Sequence, residues 1–164
     1  MAVALVLTGC GFKLRNVSFE GQLANYAITG QTRAQVVPVL RRTLTQLGLQ
    51  EVSTAEAGLV LDILDQRSER RSASTSSNVR AAEYEVDYAV HYQILSSDGD
   101  VLAPPTWIER QRIYRIDRGN IVGSSEEEAL LQRELMQDIA GQLMRAMDLV
   151  SRREQSATAP AVQE

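Results

Sequence analysis

Between Ala82 and Leu95 the chain reads AEYEVDYAVHYQIL, with Tyr84, Val86, Tyr88, Val90, Tyr92 and Ile94 at every second position. A period of two sustained this long belongs to a strand. On a helix the same side chains would spread around the whole circumference and leave no apolar face. The intervening Glu83, Glu85, Asp87, Ala89, His91 and Gln93 are almost all polar, so the pattern predicts a long strand buried on one side only. Aromatic and β-branched residues suit such a surface. The apolar side needs a covering layer, and the polar side is left for water or a partner.

The rest of the chain can supply that layer. Tyr26 to Thr29 reads as a first strand, with Val17 to Phe19 a second short candidate. From Arg33 to Leu47 the residues Val36, Val37, Leu40, Leu44 and Leu47 follow helical spacing, Gly48 stands as a C-terminal stop, and Pro38 has to lie in the first turn or bend the helix. Leu59 to Leu64 is apolar on nearly both faces, as in a central strand. Extended to Ser72, and joined through the loop-like residues 73–78 to Arg80–Leu95, it makes a long antiparallel hairpin whose tip projects beyond the helices. Asp98-Gly99 gives the next turn, Pro104-Pro105 stiffens the approach, and Trp107 to Ile116 forms the last strand. In that strand Arg110 and Arg112 share an alternation class with Ile108, Tyr114 and Ile116. Either a bulge re-aims them or that half of the strand faces water or a partner.

The clearest helix carries Leu131, Leu135, Ile139, Leu143, Ala146 and Val150 as one stripe, from a Ser125–Glu128 capping box to about Arg152. The order strand, helix, three antiparallel strands, helix predicts an α+β two-layer sandwich, with two helices packed on one face of a roughly four-stranded mixed or antiparallel sheet. At 164 residues and 44% hydrophobic content this is one domain, spanning residues 10–153, followed by a disordered tail of small and polar residues at 154–164. Net charge is -4, which argues against a nucleic-acid binder. No apolar run approaches the roughly 18 residues of a membrane-spanning helix.

The chain opens MAVALVLTGC, and Leu7-Thr8-Gly9-Cys10 resembles a lipobox. Gly11-Phe12-Lys13-Leu14-Arg15 follows at once, and Ala82-Glu83-Tyr84 opens the long strand. In this order and spacing, from about residue 7 to residue 150, the chain resembles the lipopolysaccharide-assembly lipoproteins of the LptE (RlpB) family. The resemblance implies that residues 1–9 are removed as the remnant of a signal peptide and that Cys10 is acylated. It implies an outer-membrane lipoprotein, lipid-anchored on the periplasmic side within the lumen of a large β-barrel, LptD, which it plugs and helps to assemble during lipopolysaccharide transport. Gly11 agrees with outer-membrane sorting.

Cys10 is the single cysteine, so neither an internal disulfide nor a cysteine metal cage can form. No metal-ligand spacing and no phosphate-binding glycine loop occurs, and no cofactor is expected. Glu83 and Glu85 point to one face about 7 Å apart, a spacing a glycosidase could use. A solvated strand face explains them better, and no catalytic residue is assigned. The single histidine, His91, belongs on that same polar face.

Lys13 is the only lysine, and the other basic residues are arginines, the side chain suited to bidentate contact with phosphate or carboxylate. Arg67, Arg70, Arg71 and Arg80 flank the hairpin tip. They either keep the strand edge solvated or meet phosphates of lipopolysaccharide or carboxylates on the barrel wall. An alternative outside the family is a lipid-anchored periplasmic binding module that holds a soluble anionic ligand on its polar sheet face.

Overall fold

The computed structural model describes Phe19 and residues 23–74, 81–117 and 121–158. Cys10, the lipobox, Val17, Arg80 and the loop at 75–80 lie outside these residues. In chain order the elements are β1 (Asn25–Gly30), α1 (Val36–Gln46), β2 (Gln50–Glu51), a 3₁₀ turn (Thr54–Glu56), β3 (Val60–Ser74), β4 (Ala81–Leu95), β5 (Val101–Asp117) and α2 (Ile121–Thr158). The sheet order is β2-β1-β3-β4-β5, with β1 parallel to both β2 and β3, and β3, β4 and β5 antiparallel. This is the expected α+β sandwich with a fifth strand. At two residues, β2 is too short to leave a periodicity in the sequence.

One face of the sheet is the core face. Val86, Tyr88, Val90, Tyr92 and Ile94 of β4 are buried there with Leu61 and Ile63 of β3 and Ile108 and Tyr114 of β5. Val36, Val37, Leu40 and Leu44 of α1 and Leu135, Ile139, Leu143, Met147 and Val150 of α2 join the same cluster. Among the described residues the opposite face is uncovered except at its β1 end, where Ala27, Ala57 and Val60 form a small second cluster with Val52 and Leu95.

Local chemistry sets the boundaries. Pro38 is the third residue of α1, where its missing N–H costs no helical hydrogen bond. The start of α1 is held by β3, since the Gln35 backbone N–H donates to Oε1 of Gln66 at 2.6 Å. Gly48 ends the helix at φ 85°. Gly30 closes β1 at φ 71°, and a Cβ there would lie 2.2 Å from the Ile63 carbonyl oxygen, so no other residue lets the two strands approach this closely.

In β4–β5 the register moves from Tyr92↔Thr106 to Ile94↔Ala103, and the extra β5 residue falls at Pro104-Pro105. The prolines therefore lie inside β5 and not ahead of it, as an outermost strand permits. No bulge re-aims Arg110 and Arg112. They pair with Tyr88 and Val86 on the core side, and Arg112 reaches Oδ2 of Asp138 on α2 at 2.6 Å.

Helix α2 differs most from expectation. It starts at Ile121, so Ser125 lies within the first turns and is not the N-terminal cap, and it runs through Glu154–Thr158, the start of the expected tail. At 38 residues it is about 57 Å long, comparable to the strands beneath it. Its first turns accompany the hairpin outward, because Nη1 of Arg70 contacts Oε2 of Glu128 at 3.3 Å. The helical layer therefore reaches the hairpin at Arg70, and the tip expected to project beyond it, at 75–80, lies outside the described residues.

Candidate functional site: the open sheet face

A strand turns alternate residues to opposite faces, and the register fixes which ones face away from the helices. On β4 they are Glu83, Glu85, Asp87, Ala89, His91 and Gln93. Asp65, Arg67, Glu69 and Arg71 flank them on β3, and Trp107, Glu109, Gln111, Ile113 and Arg115 on β5. A register shift between Ile63 and Asp65 decides the β3 set. Before it the odd residues Leu61 and Ile63 point to the core; after it the even residues Gln66, Ser68, Arg70 and Ser72 do.

The predicted arginine cluster is therefore divided. Arg67 and Arg71 lie on the open face, Arg70 on the helix face, and Arg80 outside the described residues. Each of the three described arginines has acidic or aromatic partners. Arg70 lies over the Tyr84 ring at 4.6 Å and beside Glu128. Arg67 contacts Oδ2 of Asp65 at 3.2 Å and lies over the Trp107 ring at 4.4 Å. Arg71 donates from Nε to Oδ2 of Asp87 at 3.0 Å and also from Nη2 to the same oxygen. Asp87 is only 6% exposed, and its Oδ1 has no hydrogen-bond partner. Arg71 is therefore the cation that makes this buried carboxylate tolerable.

His91 stacks on Trp107, with ring centroids 4.7 Å apart and planes within 6°. Arg67, Trp107 and His91 thus join all three strands across the face. Small Ala89 leaves a shallow hollow of about 410 Å³ between Arg67, Glu69, Arg71, Asp87, Trp107 and Glu109. Trp107 at the hollow is 40% exposed, and Ile113, further along the same face, is 60% exposed. Toward the end of the hairpin Arg115 holds Glu83 at 2.7 Å, so one member of the Glu83/Glu85 pair is already engaged. Among the described residues no group of His, Cys, Asp and Glu is placed to hold a metal ion. The Gln66 N–H, assisted by Arg67, keeps the Asp65 carboxyl below the usual carboxylate range.

On the core side, burial and then the nearby Glu128 carboxylate push the Tyr114 hydroxyl up to about 12. Burial also raises Tyr88, whose hydroxyl is turned toward the backbone of Gln35 and Val36. The hydroxyls of Tyr88 and Tyr114 are both buried without a closed hydrogen bond.

The fold is one found in bacterial lipoproteins. A lipoprotein B from Nitrosomonas europaea is similar with a TM-score of 0.72 and 22% identity, over 90% of this chain and 97% of the other. A rare lipoprotein B from Shewanella oneidensis is similar with a TM-score of 0.66 and 20% identity, over 80% of this chain and 98% of the other. In sequence, the chain is 25% identical over 148 residues to the LPS-assembly lipoprotein LptE of Photorhabdus laumondii, covering 87% of this chain and 79% of that one. The lipopolysaccharide-assembly family LptE matches residues 17–147, and the chain belongs to that family. Membership gives it a role in lipopolysaccharide transport, in a family of assembly lipoproteins and not of enzymes. Among the described residues no helix is long and apolar enough to cross a membrane.

Proposed function

We propose that the protein is a lipid-anchored outer-membrane partner of a large β-barrel of the LptD type, seated on the periplasmic side in the barrel lumen, where it plugs the barrel and assists its assembly. The observation that carries this is the open face: among the described residues, three strands of 15 to 17 residues are covered by helices on one side only. The bare side is polar, with Trp107 and Ile113 exposed among its ion pairs. A hydrated lumen accepts such a face without stripping its charges of water, and the two apolar side chains give it contact area. The anchor is Cys10, acylated after residues 1–9 are removed. Each buried methylene contributes about 0.8 kcal/mol, so two or more chains hold the domain at the bilayer.

Affinity purification after gentle detergent extraction tests the reading. A large β-barrel in stoichiometric amount is the expected result, and its absence overturns it. Mass spectrometry of the same sample should find acyl chains on Cys10, and Cys10→Ala should yield a folded domain released from the membrane.

Direct contact with lipopolysaccharide belongs to the same proposal and falls to Arg67, Arg70, Arg71 and Arg80 around the outer half of the hairpin. A second reading, a module for a soluble anionic ligand, draws on Arg67 and Arg71 at the hollow. It stands behind the first because both guanidiniums are already paired and three carboxylates share the same walls. Purification without any barrel would favour it.

A further inference from the structure

We infer that the outer edge of β5 is a latent strand-pairing surface for a second copy of this chain, and that Arg110 and Arg112 keep it closed. β5 is the last strand of the sheet, and from Thr106 to Asp117 it contains no proline. A long edge of this kind presents a row of unpaired N–H and C=O groups, a template for another strand. Here two of those carbonyls are occupied by side chains of the same strand. Nη1 of Arg110 donates to the Glu109 carbonyl at 2.6 Å, and Nη1 of Arg112 to the Gln111 carbonyl at 3.0 Å. In an antiparallel ladder each residue turns its N–H and C=O to the same side. The carbonyls taken by side chains therefore mark Glu109 and Gln111, with the other odd residues of this stretch, as facing the outer edge. Arg112 is fixed in place because its Nη2 is held by Asp138 of α2.

The same two arginines oppose the registers that would pair most of the proline-free stretch. A two-fold axis at Arg110 or at Arg112 sets that residue opposite its own copy, and an axis at Gln111 sets Arg110 opposite Arg112. Like charges directly opposite one another disfavour a strand pair. Remove both guanidiniums and the obstacle goes, while Trp107 and Ile113, both exposed, supply apolar contact area along the open face. The edge is thus guarded by bonding and by charge.

The test is the association state of the purified chain in analytical ultracentrifugation at about 100 μM, where a weak strand-mediated dimer becomes populated. The natural chain should be monomeric. The double variant Arg110→Thr with Arg112→Thr should form a concentration-dependent dimer, with at least a tenfold tighter self-association constant. Adding Gln111→Pro should return it to the monomer, because proline removes an N–H that faces the edge and leaves the β4 ladder intact. Circular dichroism confirms that each variant is folded. A monomeric double variant, or a dimer that Gln111→Pro does not dissolve, overturns the inference, as does a natural chain that already dimerises through this edge.

Discussion

Tyr88 and His91 lie three residues apart on one strand and meet opposite environments. Tyr88 is 2% exposed in the core, whereas His91 is half-buried on the open face against Trp107. Tyr88→Ala should cost about 3–5 kcal/mol in urea unfolding, as for other buried aromatic truncations. His91→Ala should cost about 1 kcal/mol or less, the scale of one aromatic stacking contact. The reverse order would mean that the two faces are exchanged. The buried tyrosines also set the alkaline limit. Their pKa is raised by burial, and Tyr114 reaches about 12 against an ordinary value of 10.0. Their neutral form is the one the fold stabilises, so this stability is complete below about pH 10 and is lost as pH rises toward 12. The part of the tyrosinate absorbance at 295 nm that comes from Tyr88 and Tyr114, isolated by difference from their Phe variants, should therefore rise together with the loss of ellipticity, not before it. The arginines show where residue-level reading of the sequence stops. A hairpin tip in itself needs no cations for folding, yet Arg71 neutralises Asp87 and Arg70 bridges to Glu128. Arg71→Glu should lower the urea midpoint of unfolding, because it leaves the buried Asp87 carboxylate beside a like charge in place of its cation. Arg70→Gln should leave the midpoint nearly unchanged, because its pair with Glu128 is solvent-exposed on the arginine side. A lipopolysaccharide-binding assay on Arg70→Gln with Arg80→Gln thus separates glycolipid contact from folding better than any change at Arg71.

At the scale of elements, legibility followed periodicity. β4 could be read to within a residue because its alternation is unbroken from Tyr84 to Ile94, and the buried stripe of α2 because Leu135, Ile139 and Leu143 repeat at helical spacing. β3 could be located, but its faces could not. The shift at Leu64 exchanges inward and outward residues about a third of the way along, so Arg70 and Arg71 could not be assigned to sides from alternation alone. For the same reason the column of Arg67, Trp107 and His91 left no local signal: it is assembled by cross-strand register among three separate segments. The start of α2 was misplaced because Ser125 and Glu128 satisfy a capping pattern that a preceding helical turn makes irrelevant. Glu128 is used instead to fasten the helix to β3. Arg70→Ala should accordingly speed amide exchange in the first turns of α2 and leave the turns around Ile139 unchanged, which hydrogen-exchange mass spectrometry resolves.

For the whole molecule, position in the chain carries a meaning of its own. β1 pairs with β3, 33 residues further on, and Leu135, Ile139, Leu143, Met147 and Val150, which close the core, arrive last. A nascent or translocating chain that has presented β1 to β5 has α1 over part of the apolar face, but the rest of that face stays exposed until α2 covers it. Partial lengths therefore have nothing stable to settle into, and the protein stays threadable until its final helix is delivered. Chains ending at Asp117 should show no cooperative unfolding transition and should be degraded rapidly by protease. A separately added peptide of residues 118–158 should restore both the transition and the resistance. Arrival of α2, more than any earlier step, is then the event that commits this chain to its shape.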